Sequence, residues 1–161
     1  VLNTVLGGSM SSRLFQHIRE DRGLAYSVFS NLTMYSDAGM VTVYAGCASD
    51  KVAEVVDLSL AELRALRETP VPADELRRAK DHLKGSLVLN LESTASRMSH
   101  LARQFIFFGR YYTLDELTSA VGAVAPEDVQ RVANELFRDE GLAATVVGPS
   151  AKSPLNGQLT L

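Results

Sequence analysis

Hydrophobic and polar positions follow two different periods along this chain, and the switches between them mark its elements. Val1-Leu2-Asn3-Thr4-Val5-Leu6 is an apolar opening broken by Gly7-Gly8-Ser9, paired glycines that suit a tight turn from one helix to another. Ser11 or Ser12 can cap the next helix, because a serine oxygen accepts from the free amides of a first turn. Over about residues 13–22, Leu14, Phe15 and Ile18 share one face at helical spacing, and Gly23 suits the stop. The period then drops to two. Residues 25–35 are β-branched, aromatic or small polar, and Ser36-Asp37-Ala38-Gly39 is turn chemistry. The run 40–48 sets Val41, Val43, Ala45 and Cys47 on one face against Thr42 and Tyr44 on the other, so the pair reads as an antiparallel hairpin.

From residue 50 to residue 138 the pattern is helical. Val52, Val55, Val56, Leu60, Leu63 and Leu66 form a stripe that fits a helix lying on a sheet, and Thr69-Pro70-Val71-Pro72 stops it. The next helix opens at Pro72 or Ala73 with Leu76, Ala79, Leu83 and Leu87 on one side and an Asp74–Arg78 pair on the surface. Its pattern runs to Phe108, too long for one globular helix, so a bend is placed near residues 90–93, with Gly109 as the end. Thr113 to Glu116 has capping-box spacing, and Pro126 suits the first turn of a helix over 127–137. Residues 141–148, with Ala143, Thr145, Val146 and Val147, read as a buried strand returning to the sheet. Residues 150–161 read as a polar, poorly ordered tail. The fold class is α+β: a mostly antiparallel sheet with helices layered on one face.

Composition narrows the possibilities. The 161 residues are 46% hydrophobic and carry a net charge of −3, from 16 Lys and Arg against 19 Asp and Glu. That balance lacks the basic footprint of a nucleic-acid binder. No apolar run approaches the roughly 18 residues of a membrane span. The single cysteine, Cys47, excludes an internal disulfide framework and is expected as an inert thiol on the core face.

Candidate chemistry is sparse. His17-Ile18-Arg19-Glu20-Asp21 misses the HxxEH zinc motif, because Asp21 stands where the second histidine belongs. His17 therefore reads as a solvated helix residue, and His82 and His100 have no carboxylates arranged around a shared ion. Neither a nucleophile elbow nor a phosphate loop occurs. Phe105-Ile106-Phe107-Phe108 before Gly109-Arg110-Tyr111-Tyr112 suits base stacking, but the acidic balance opposes it, and burial of an aromatic helix end on the sheet is expected. Arg19 and Tyr26 flank the sharp turn at Gly23, which can bring a guanidinium and a phenol into the same space. Both donate hydrogen bonds, as a peptide carbonyl or a developing oxyanion requires. Spacing alone favours a surface arginine and a half-buried tyrosine.

Leu6-Gly7-Gly8, Ser11-Ser12-Arg13-Leu14-Phe15, Ile18-Arg19-Glu20 and Arg22-Gly23-Leu24-Ala25-Tyr26-Ser27-Val28 together resemble the second half of the pitrilysin/insulinase zinc peptidases. The similarity is to the bacterial relatives of mitochondrial processing peptidase. Glu92-Ser93, Pro126-Glu127-Asp128-Val129 and Val146-Val147-Gly148-Pro149 extend it weakly, and Ala125 departs from it where a Ser or Thr cap is usual. The resemblance implies one half of a two-domain clamshell, truncated at its N-terminus before the Leu-Gly-Gly turn, with a C-terminal peptidase-like domain over 1–149 and a tail over 150–161. It also implies that zinc, held by HxxEH and a distant glutamate, belongs to an N-terminal domain. The matching stretch here, residues 1–6, has no ligand side chain. No catalytic and no metal-binding residue is expected in this chain.

Arg19 and Tyr26 match a substrate-binding arginine and tyrosine of that family in spacing and local sequence. The resemblance gives Arg19 a substrate backbone carbonyl to hold, and Tyr26 the carbonyl or oxyanion to donate to. The implied function is the non-zinc-binding half of a zinc-dependent endopeptidase acting on short or unfolded peptides, contributing substrate positioning and chamber closure. The isolated chain is expected to cleave nothing. The alternatives are a non-catalytic structural or core subunit of the same family, or a zinc-less partner in a heterodimeric peptidase. Expected partners are a peptide substrate and the chain's own zinc-bearing domain or a partner subunit, with neither nucleic acid nor membrane. An unpaired sheet edge makes a homodimer a further expectation. Compartment stays open, leaning to cytoplasm over periplasm.

Overall fold

A computed structural model of the chain describes residues 1–149 and 159–161. In chain order it contains α1 (Leu2–Leu6), a π-helix (Phe15–Glu20), strands β1 (Ala25–Met34) and β2 (Gly39–Cys47), and helices α2 (Val52–Glu68), α3 (Ala73–Asn90), α4 (Thr94–Phe108), α5 (Leu114–Ala123) and α6 (Pro126–Leu136). The strands pair antiparallel, with Phe29 opposite Tyr44 and Thr33 opposite Met40. One face of this hairpin carries Ala25, Val28, Val41, Val43, Ala45 and Cys47 against the core, where the helices pack, while Phe29, Asn31, Thr42 and Tyr44 lie exposed on the other. The α+β class follows.

Leu6, Leu14, Ile18 and Leu66 are completely enclosed at the centre. Full burial of each such side chain contributes about 1.5–3 kcal/mol. Around them stand Val55 and Leu63 of α2, Leu76 and Ala79 of α3, and Val129 and Ala133 of α6. The junction of α1 with β1 is tight. The Ser30 N–H donates to the Gly7 carbonyl at 3.0 Å, and the Ser30 hydroxyl donates to Asn3 Oδ1 at 2.8 Å. A Cβ on Gly7 would lie 2.5 Å from the Ser30 nitrogen, so only glycine allows the approach.

The helix boundaries follow the local signals. Ser93 accepts from the Ser96 N–H at 3.4 Å and so restarts the chain as α4 after the expected break. Thr113 and Glu116 complete a reciprocal capping box. At α6, Asp128 accepts from the Ala125 N–H at 2.9 Å, and Ala125 has no side chain with which to reciprocate.

Two expectations are corrected. Residues 142–147 form no strand, and Val147 is 94% exposed. An apolar run becomes a strand only beside another backbone, and among the described residues none pairs with it. Phe105, Ile106, Phe107 and Phe108 are exposed rather than buried on the sheet, and the buried residue of α4 is Gln104. Most of the expected polar tail, residues 150–158, lies outside the described residues. Its end is tied down: the Leu161 N–H donates to Asp139 Oδ1 at 2.7 Å, Arg64 donates to the Thr160 carbonyl at 2.8 Å, and Leu161 packs on the core. Among the described residues no helix is long and apolar enough to cross a membrane.

Candidate functional site

Two local irregularities converge on Arg19 and Tyr26. The helix expected to be regular over 13–22 widens at Phe15–Glu20, where the Asp21 N–H donates to the Gln16 carbonyl at 2.9 Å, five residues back. Such insertions into a helix recur at functional sites. The Gly23 N–H then closes on the Arg19 carbonyl at 3.0 Å, and Gly23 turns the chain at φ +59°. Only a residue without Cβ enters that region at no steric cost. β1 begins two residues later with a second irregularity. Ala25 faces Cys47 and Ser27 faces Gly46, so Tyr26 is an extra residue in the ladder, a β-bulge. A bulge bends its strand and re-aims a side chain.

The two side chains meet outside the core. Tyr26 is 88% exposed, which decides against a half-buried tyrosine, and the Arg19 side chain is 41% exposed. The Arg19 guanidinium carbon lies 5.8 Å from the centre of the Tyr26 ring and 4.8 Å from that of Phe15. Its Nε is 3.7 Å from Glu20 Oε1, a loose contact. Guanidinium and phenol thus stand side by side as hydrogen-bond donors on an open surface, an arrangement suited to the carbonyl oxygens of an extended peptide.

The helix bearing Arg19 is fastened to its neighbours by contacts that local reading misses. Arg13 donates to both oxygens of Glu75 on α3, at 2.8 and 2.9 Å, with both side chains mostly buried. The hydrogen bond to Glu75 raises the Arg13 guanidinium above its ordinary value. His17, expected to be solvated, is half exposed and pairs through Nδ1 with Glu62 of α2. Those partners lie 62 and 45 residues away in sequence, beyond any periodicity. Phe15, expected on the core face with Leu14 and Ile18, is only partly buried and lies beneath Arg19. Cys47, opposite Ala25, has its thiol pushed up by burial and then by the charge of Asp50, which disfavours the reactive thiolate. Among the described residues no group of three or more His, Cys, Asp or Glu could hold a metal ion.

Residues 1–83 match the protein family described as "Peptidase M16 inactive domain". The "Uncharacterized zinc protease YmxG" of Bacillus subtilis is 42% identical over 154 residues, covering 96% of this chain and 37% of that protein. The "Uncharacterized zinc protease SCO5738" of Streptomyces coelicolor is 40% identical over 149 residues, covering 92% of this chain and 32% of that protein. A solved peptidase M16 inactive domain from Pseudomonas fluorescens shares the fold, with a TM-score of 0.73 at 23% identity over 83% of this chain and 32% of its own. The chain therefore spans about a third of the length of the curated relatives it matches.

Proposed function

This chain belongs to the peptidase M16 inactive-domain family, and on that premise we propose that it serves a zinc-dependent endopeptidase as its substrate-positioning, chamber-closing half. The substrates are short or unfolded peptides. The observation that carries this reading is the convergence of a widened helix turn and a β-bulge on one exposed guanidinium–phenol pair. Arg19 lies within the π-helix and Tyr26 at the bulge, so each side chain is presented from an irregular stretch of backbone.

Arg19 holds a substrate backbone carbonyl, using in-plane N–H groups that no buried carboxylate occupies among the described residues. Tyr26 donates to the carbonyl under attack and to the oxyanion that follows. Donors fixed in advance stabilise developing charge without reorganising, and losing one typically lowers the rate ~10²–10³-fold. Zinc in the longer protein would supply the activated water. Among the described residues no group of three or more His, Cys, Asp or Glu could hold it, and the family resemblance implies zinc in an N-terminal domain.

The test uses the longer protein with R19A and Y26F, a quenched fluorogenic peptide and direct metal analysis. Each variant is expected to lower kcat/KM by about two orders of magnitude at unchanged zinc content. Unchanged hydrolysis in both would overturn the reading. A longer protein that holds no zinc and cleaves nothing would point to a structural subunit. Activity appearing only with a second, zinc-bearing chain would point to a heterodimer.

A further inference from the structure

We infer that Phe15 is a positioning residue for Arg19: its ring forms the platform that sets the plane of the guanidinium while leaving its hydrogen-bonding edge free. The inference rests on the substrate-positioning reading and adds how the arginine is held. An arginine side chain gives up much rotamer freedom when ordered, so an exposed one needs a reason to stay in one geometry. Two kinds of contact could supply it. A carboxylate would consume the donors that a substrate carbonyl needs, and the carboxylate at hand, Glu20, is loose at 3.7 Å and half exposed. Exposed ion pairs of that kind contribute little. An aromatic face holds the cation through its π-cloud, perpendicular to the N–H donors, and takes none of them.

Phe15 has the placement this requires. It opens the same π-helix, four residues before Arg19, and its ring centre lies 4.8 Å from the guanidinium carbon. Tyr26 is farther, at 5.8 Å, and 88% exposed, so it is the less fixed of the two rings. Phe15 is partly buried and sits on a helix fastened through Arg13–Glu75 and His17–Glu62. A fully buried Phe15 would serve packing alone, and a fully exposed one would be as mobile as the group it steadies. Its intermediate position gives Arg19 a stationary surface.

The experiment compares F15L, F15Y, F15W, R19A and F15L/R19A in the longer protein, with peptide hydrolysis, zinc content and melting temperature as readouts. F15L keeps apolar bulk and removes the π-face, and is expected to lower kcat/KM roughly three- to thirtyfold. F15Y and F15W should restore most of that loss. In the R19A background F15L should add nothing, because its target is gone. Should R19A be impaired while F15L matches wild type, or F15W does no better than F15L, or the two losses simply add, the role assigned to Phe15 is wrong and the substrate-positioning reading stands. Full activity in R19A would instead remove the reading on which the inference rests.

Discussion

At the scale of single residues, Gly7 shows how one position answers to another remote in sequence. A methyl group there would meet the Ser30 nitrogen at 2.5 Å and its hydroxyl oxygen at 2.7 Å. The nearest atom is backbone, so no rotamer change relieves the contact, and α1 and β1 must part. Gly7→Ala is expected to cost about 1–3 kcal/mol of stability, seen as a lower urea midpoint at unchanged slope. A midpoint equal to wild type would mean that the α1–β1 junction is looser than the structure has it. The Gly-Gly pair was legible as a turn, whereas the crowding that demands Gly7 comes from Ser30, remote in sequence. The sharp turn that brings Arg19 beside Tyr26 is legible for a related reason, since the Gly23 that makes it is local. That Arg19 lies in a π-helix and Tyr26 at a bulge is not, because periodic reading assumes a constant number of residues per turn and strict alternation along a strand.

Elements whose ends depend on neighbours within one turn are legible in the sequence, as at Ser93, Gly109 and Thr113. The capping box at α5 carries a pH dependence with a definite sign. Hydrogen bonds from the Thr113 N–H and hydroxyl, and then the charge of Arg110, hold the Glu116 carboxyl below its ordinary value. A folded value below the unfolded one means that Glu116 stabilises above the ordinary carboxylate range and loses that effect as pH falls through the folded value. E116Q should therefore melt below wild type near neutrality, with the two curves converging in acid. A gap that stays constant with pH would assign the effect to something other than the charge. Residues 141–148 look like a strand in sequence, but a strand depends on a partner that local sequence does not contain. The aromatic end of α4 defies local reading in a parallel way, since an apolar stripe states that a surface favours cover and not what supplies it.

The whole molecule presents considerable apolar surface. Met98, Leu101, Phe105, Ile106 and Phe108 are exposed along α4, and Phe29, Leu32, Met34, Met40 and Tyr44 on the hairpin. Soluble monomers seldom carry contiguous apolar patches beyond a few hundred Å². Each of the two strands also has a side unpaired by another strand among the described residues. The chain on its own is expected to self-associate as concentration rises, measured by sedimentation velocity. Replacing Phe105 and Ile106 by lysine should shift it towards monomer without lowering the melting temperature, because neither residue contributes to the core. A monomer at every concentration tested would refute the expected homodimer.

The bulge at Tyr26 has an evolutionary consequence. Ala25 still meets Cys47, and from Ser27 onward each residue of β1 finds its partner, so the ladder runs as though the tyrosine had not been inserted. A residue outside the count escapes the alternation that commits its neighbours to inside or outside. Its phenol can be swapped or erased by drift without moving Val28 or Ser30 off the interior. A substitution at position 26 thus leaves the framework undamaged, so the presented side chain and the fold can change independently of each other.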